Sequence, residues 1–142
     1  MKFSAKRHLI IGLLLLATAG TLIQCNMPLA NTSIYYTDQN NNTFSISANS
    51  LEYNPILAEE SSSGTYDGGE PATVSLSKEQ FEAIRNGAVT LLEDTSKHSE
   101  KRQMMTAVLQ LKTTDSSTRK ILVKSSERAA FEALLIDAID TE

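Results

Sequence analysis

The chain has 142 residues, with 13 basic and 17 acidic side chains, a formal charge of −4, one cysteine and no tryptophan. That length allows one domain. The lone cysteine excludes an internal disulfide framework and a zinc–thiolate cluster, and the acidic balance argues against nucleic-acid binding.

Residues 1–24 read as an export signal. Lys2, Lys6 and Arg7 give a basic start, and no charged residue occurs from Leu9 to Ile23, a run that includes four consecutive leucines. Helical rise takes such a run about 22 Å, short of the ~30 Å hydrocarbon core of a bilayer. The pattern therefore predicts a secretory signal rather than a membrane span.

The next residues refine the destination. Leu22-Ile23-Gln24-Cys25 places a leucine three positions before the sole cysteine. It resembles the lipobox of bacterial lipoproteins, although Gln24 stands where that pattern prefers Gly, Ala or Ser. The resemblance covers residues 1–25 only. It implies that Cys25 carries a diacylglyceryl group and an acylated amine, palmitate included, after cleavage before it. Several acyl chains hold a protein at a bilayer far more firmly than one. Asn26 follows, and the Asp that marks inner-membrane retention in enterobacterial lipoproteins is absent. The resemblance thus implies the outer membrane, facing the periplasm; plain secretion is the alternative.

Removing residues 1–24 takes away three bases and no acid, so the remaining chain has ten basic and seventeen acidic side chains, a formal −7. Residues 25–33, with Pro28 and Asn31, read as a lipidated tether. Residues 34–142 read as a single α+β domain.

Within it, Ile34 and Tyr36, then Phe44, Ile46 and Ala48, alternate across Asp38-Gln39-Asn40-Asn41-Asn42, which predicts a hairpin with Ser45 and Ser47 facing solvent. Leu51, Glu52, Tyr53 and Ile56 predict a third strand, with Pro55 setting its end at a sheet edge. Residues 59–73 are rich in Ser and Gly and predict a long loop whose one aromatic is Tyr66. Ser77-Lys78-Glu79-Gln80 matches a capping box. Phe81, Ile84, Ala88, Leu91 and Leu92 then recur at helical spacing, with an end expected near Asp94-Thr95. Gly87 within this helix suggests close packing on the sheet. Met105, Ala107, Leu109 and Leu111 alternate within a strand from Gln103, residues 113–118 form a polar turn, and residues 119–124 give a second hairpin strand. Ser125 or Ser126 caps a last helix with a buried stripe of Phe131, Leu134, Leu135, Ala138 and Ile139. The expected architecture is a small antiparallel sheet of about five strands with two helices on one face.

Motifs of known chemistry fall short. Asp38-x-Asn40-x-Asn42 has the opening spacing of a calcium loop, but Thr43 and Asn49 stand where the glycine and the bidentate glutamate belong. His98 sits in a charged connection, and no Gly-x-Ser-x-Gly elbow accompanies it. The carboxylates of Glu59, Glu60, Asp67 and Glu70 line the long loop but lack the aromatic platform expected of a glycosidase. Ser61 to Gly69 has no lysine to complete a phosphate-cradling loop. Lys97, Lys101, Arg102, Arg119, Lys120 and Lys124 could gather into a basic patch, or simply be solvated.

The composite expectation is a membrane-anchored, non-enzymatic binding module of the cell envelope without a cofactor. Contacts to an envelope protein partner are expected from Tyr66, Asp67, Gly68, Gly69 and Glu70. The alternatives are a periplasmic inhibitor or immunity-type protein directed at a basic enzyme, and a small hydrolase using His98 or the loop carboxylates.

Overall fold

A computed structural model describes residues 31–141. The expected export signal, the lipobox and Cys25 lie outside those residues. The described chain is α+β: one antiparallel sheet of seven strands and two α-helices. The strands are β1 (Ser33–Thr37), β2 (Thr43–Ser47), β3 (Ser50–Asn54), β4 (Ala72–Ser75), β5 (His98–Ser99), β6 (Ala107–Lys112) and β7 (Ser117–Leu122). The helices are α1 (Lys78–Glu93) and α2 (Ser126–Asp140). The strand order across the sheet is β4-β3-β2-β1-β6-β7-β5.

Alternation decides the faces, because successive side chains of a strand point to opposite sides. Ile34 pairs with Ile46 and Leu111, and Tyr36 with Phe44 and Leu109. These side chains, with Leu51, Val74 and Leu122, meet Phe81, Ile84, Ala88 and Leu91 of α1 and Phe131, Leu135 and Ala138 of α2 in one core. Among the described residues, the opposite face carries no second layer. One register row across it reads Thr73, Glu52, Ser45, Tyr35, Gln110, Arg119. Tyr35 is exposed at its centre, with the Lys112 ammonium 5.0 Å from the ring centroid.

The helix course follows from the topology. Strands β4 and β5 are opposite edges of the sheet, so α1, which lies between them in the chain, must cross it. Six strand spacings amount to about 29 Å, and sixteen helical residues reach about 24 Å. A 3-10 turn, Thr95–Lys97, covers the remainder. The start of α1 is fixed by its capping box: Gln80 donates its backbone N–H to Ser77 Oγ at 3.1 Å, and Ser77 donates its own to Gln80 Oε1 at 2.8 Å. Ser125 caps α2, accepting the backbone N–H of Arg128 at 3.1 Å.

Several expectations change. Two further strands exist. β4 uses Ala72 and Thr73, which the sequence assigns to the long loop, so that loop spans 55–71. β5 is made from His98 and Ser99. β3 is not an edge, because β4 pairs with it. Ser33 belongs to β1, and Thr32 before it is buried. β6 begins at Ala107, not Gln103, because Met105 adopts φ 66 and breaks the extended backbone. β7 starts at Ser117 and ends at Leu122. Leu134 is exposed rather than part of the buried stripe. Gly87 packs on α2, not on the sheet: a Cβ there would stand 3.1 Å from Phe131 Cδ2.

Candidate functional site

The strand directions sort the connections into two ends. Ser33, Ser47, Ser50, Ser75, Lys112 and Ser117 lie together at one end of the sheet, where the chain enters β1. Turn 38–42 and loop 55–71 leave from the other end, and loop 100–106 enters β6 there. Three polar hubs fasten them to one another.

The first hub is Asn42, buried in a turn that looks solvated in sequence. Its Nδ2 donates to Asp38 Oδ2 and to Tyr66 Oη, both at 2.7 Å, and its Oδ1 accepts the Ile56 N–H at 3.0 Å. All its side-chain polar groups are thus satisfied, as burial requires. Asp38 Oδ1 also accepts the N–H groups of Asn40 at 2.8 Å and Asn42 at 2.9 Å. The spacing that mimics a calcium loop is therefore an Asx turn that ties down loop 55–71. Among the described residues no three or more His, Cys, Asp or Glu side chains are grouped to hold a metal ion.

The second hub is Arg102. Its Nη1 donates to the Thr106 carbonyl at 2.9 Å, and its Nη2 donates to the Asp38 carbonyl and Asn41 Oδ1, each at 2.8 Å. The third is Arg128, only 3% exposed although charged. It donates to the Met105 carbonyl at 2.7 Å and Gln39 Oε1 at 3.2 Å, and its Nε lies 3.3 Å from Glu132 Oε1. Glu132 also accepts the Tyr36 hydroxyl. Burial, then the Glu132 contact, pushes the Tyr36 phenol far above its ordinary range.

These hubs hold a projecting tip. Met104 is 92% exposed, and Met105 beside it carries a left-handed backbone. Left-handed backbone at a side chain larger than Asn costs roughly 1–2 kcal/mol, and the surrounding hydrogen bonds offset that cost. Methionine is flexible and polarizable, which suits an adaptable contact surface.

The five loop residues expected as contacts divide into two kinds. Tyr66 accepts from Asn42, and Gly68 is structural: its N–H donates to the Ile56 carbonyl at 3.1 Å and its carbonyl accepts the Tyr53 hydroxyl at 2.7 Å. A Cβ on Gly68 would meet Asn42 Oδ1 at 2.3 Å and Pro55 Cβ at 2.7 Å, so only glycine fits there. Burial raises the Tyr53 phenol, with Tyr66 adding to it. Asp67 Oδ1 accepts the Gly69 N–H at 2.9 Å. Asp67, Gly69 and Glu70 are exposed. Beside this loop, a polar cleft of about 310 Å³ opens between Asn40, Asn41, Glu60 and Ser63. The N–H groups of Thr65 and Tyr66 donate to Ser63 Oγ at 3.4 and 3.3 Å, so they are turned inward rather than toward an anion.

His98 is half-buried, and its Nε2 donates to the Leu91 carbonyl at 2.8 Å, which closes the last turn of α1. The basic residues do not gather. Lys97 lies 3.7 Å from Glu127, Arg102 is spent in the loop hub, and Arg119 and Lys120 point to opposite faces of β7. No helix among the described residues is long and apolar enough to cross a membrane. The hub roles of Asn42, Arg102 and Arg128 and the outward position of Met104 and Met105 do not follow from the sequence patterns. The Asp-x-Asn-x-Asn spacing was the available signal for the first, and two adjacent methionines in a polar stretch for the last.

No family model matches the chain, and no curated protein or solved structure is significantly similar to it.

Proposed function

We propose that this protein is a non-enzymatic interaction module of the bacterial cell envelope, anchored through lipid on Cys25 and binding an envelope protein through its loop end. One observation carries the reading. The chain enters the sheet at Ser33, and the exposed Met104 tip with turn 38–42 and loop 55–71 stands at the opposite end. An anchor on the N-terminal side then leaves that end free to meet a partner. The three hubs support it, since pre-ordered loops lose less entropy on binding. The lipobox resemblance supports placement at the outer membrane, facing the periplasm.

The anchor is tested by Cys25→Ser. The variant is expected to lose the mass of the acyl groups and to leave the membrane fraction, unprocessed or soluble. Unchanged mass and fractionation would overturn the anchor.

A second reading, an inhibitor or immunity-type protein, draws on loop 55–71, which holds Glu59, Glu60, Asp67 and Glu70 and no basic residue. Such a protein would bind one basic enzyme with an affinity that falls steeply with salt. The hydrolase alternative has the least geometric support, because the His98 ring is engaged by Leu91 and Glu70 lines none of the clefts described.

A further inference from the structure

We propose that the outer face of α2, with the cleft beside it, docks a cationic amphipathic helix of a partner protein. This rests on the interaction-module reading and specifies the chemistry of the partner.

A surface helix ordinarily turns its polar side chains to solvent. α1 does so, exposing Lys78, Glu79, Asn86, Thr90 and Glu93. α2 does not. Between Glu127 and Asp137 its charges are Arg128 and Glu132, which pair with each other and reach inward to Met105 and Tyr36. Phe131 and Leu135 fill the core, and Ala129, Ala133, Leu134 and Ile136 are left outside. Ile136 is 45% exposed. The helix is apolar on both faces for more than two turns, next to the Met104–Met105 tip.

Charge chooses among the possible occupants. The apolar stretch is bracketed by Glu127 at one end and Asp137 and Asp140 at the other, and α2 exposes no base. Glu127 shares its charge with Lys97, whereas Asp137 and Asp140 form no ion pair with a described residue. A second copy packed antiparallel about Ala133 would set Asp140 of one copy against Glu127 of the other. An anionic bilayer would be repelled at the same carboxylates. A helix with an apolar centre and basic ends meets neither objection.

The adjoining cleft fits the same occupant. It has a volume of about 220 Å³, with Phe44 and Ile136 as apolar lining and Asp38 and Glu132 among its walls. A lysine or arginine can lay its methylenes on such rings and chains while its charge stays near carboxylates. Glu132 and Ile136 are one helical turn apart, so the cleft opens along the flank of the exposed stretch.

The test uses the full-length protein in detergent and a synthetic helix of about five turns with leucine at helical spacing and lysine at the flanks. A control peptide carries glutamate at every lysine position. Fluorescence anisotropy is expected to show binding of the lysine peptide alone, and loss of that binding in 1 M salt, where the Debye length is about 3 Å. Ala133→Arg, at an exposed position, should weaken it roughly tenfold or more, equivalent to at least ~1.4 kcal/mol, with an unchanged melting temperature. Ile136→Ser serves as a second variant should Ala133→Arg melt early. Equal binding of both peptides, or lysine-peptide binding indifferent to both variants, would overturn the proposal. So would self-association, or uptake on anionic vesicles, abolished by the same variants. A partner still reached from Met104 in that event would leave the module reading standing without this docking face.

Discussion

The buried guanidinium of Arg128 holds the carbonyl of Met105, donating from Nη1 at 2.7 Å across twenty-three positions of sequence. The same guanidinium pairs with Glu132, which accepts from Tyr36 in the middle strand of the sheet. A charge in the interior thereby fixes the loop that exposes Met104. Arg128→Met should destabilise the fold by about 3 kcal/mol, chiefly because Glu132 is left without its partner. Urea unfolding measures the loss. Adding Glu132→Leu should recover part of it, and amide exchange in residues 100–106 should stay fast in both variants, because the Met105 carbonyl has lost its donor.

Asn42 and Gly68 form a second coupled pair. Asn42→Ala removes three side-chain hydrogen bonds from a buried site and leaves the Ile56 N–H without its acceptor. We expect a cost of about 2–4 kcal/mol by chemical denaturation, given roughly 1–3 kcal/mol for each buried group left unsatisfied. Gly68→Ala should cost about 1–3 kcal/mol through overpacking. The double variant should cost less than the sum, since Asn42→Ala removes the oxygen that the new methyl would strike. It should not return to the Asn42→Ala value, because Pro55 Cβ remains 2.7 Å away.

Stability should fall at high pH. The folded Tyr36 phenol is held well above its ordinary value of 10.0, first by burial and then by Glu132. Above pH 10 the unfolded chain releases this proton and the folded chain keeps it, so the unfolded state binds fewer protons and the stability contributed by Tyr36 is lost as pH rises. Thermal melts from pH 8 to 11 check this. Tyr36→Phe should flatten the alkaline slope while lowering stability at neutral pH through the lost Glu132 contact.

At low pH the helix starts should weaken first. The carboxyls of Glu79 and Glu127 are held below their ordinary value by their own backbone N–H groups, then by Ser77 and Ser125 respectively. Their contribution is present above pH 4.5 and is lost as pH falls through the lowered values. Ser77→Ala should cost about 1 kcal/mol and reduce the acid sensitivity of α1, followed by amide exchange at its first turn.

Much of this fold is legible in the residues because local rules and the tertiary structure agree. Ile34 with Tyr36, Phe44 with Ile46, and Leu109 with Leu111 alternate with polar residues, and each pair sits on the buried face. Ser77 and Gln80 mark the start of α1 and form its box. The misreadings occur where a distant partner decides. β4 has only Ala72 and Val74 facing inward, and its pairing comes from β3. β5 is two residues long and exists because β7 offers an edge. Met105 continues the two-residue period of Ala107, Leu109 and Leu111, but Arg128 draws its carbonyl away and the strand starts later. Helical spacing places Leu134 beside Leu135 without telling core from surface. At the candidate site, the sequence marks Tyr66 and Gly68 as partner contacts, yet both fasten the loop beside Asn42, whose burial its polar turn conceals.

The most direct test of the central claim is site-specific photocrosslinking in intact native cells. A photoreactive residue is placed at Met104, at the loop end, and separately at Thr114, in the turn at the opposite end of the sheet. One defined cross-linked envelope protein is expected from Met104 and none from Thr114. The same species from both positions, or capture from Thr114 alone, would contradict the assignment of the loop end as the binding surface.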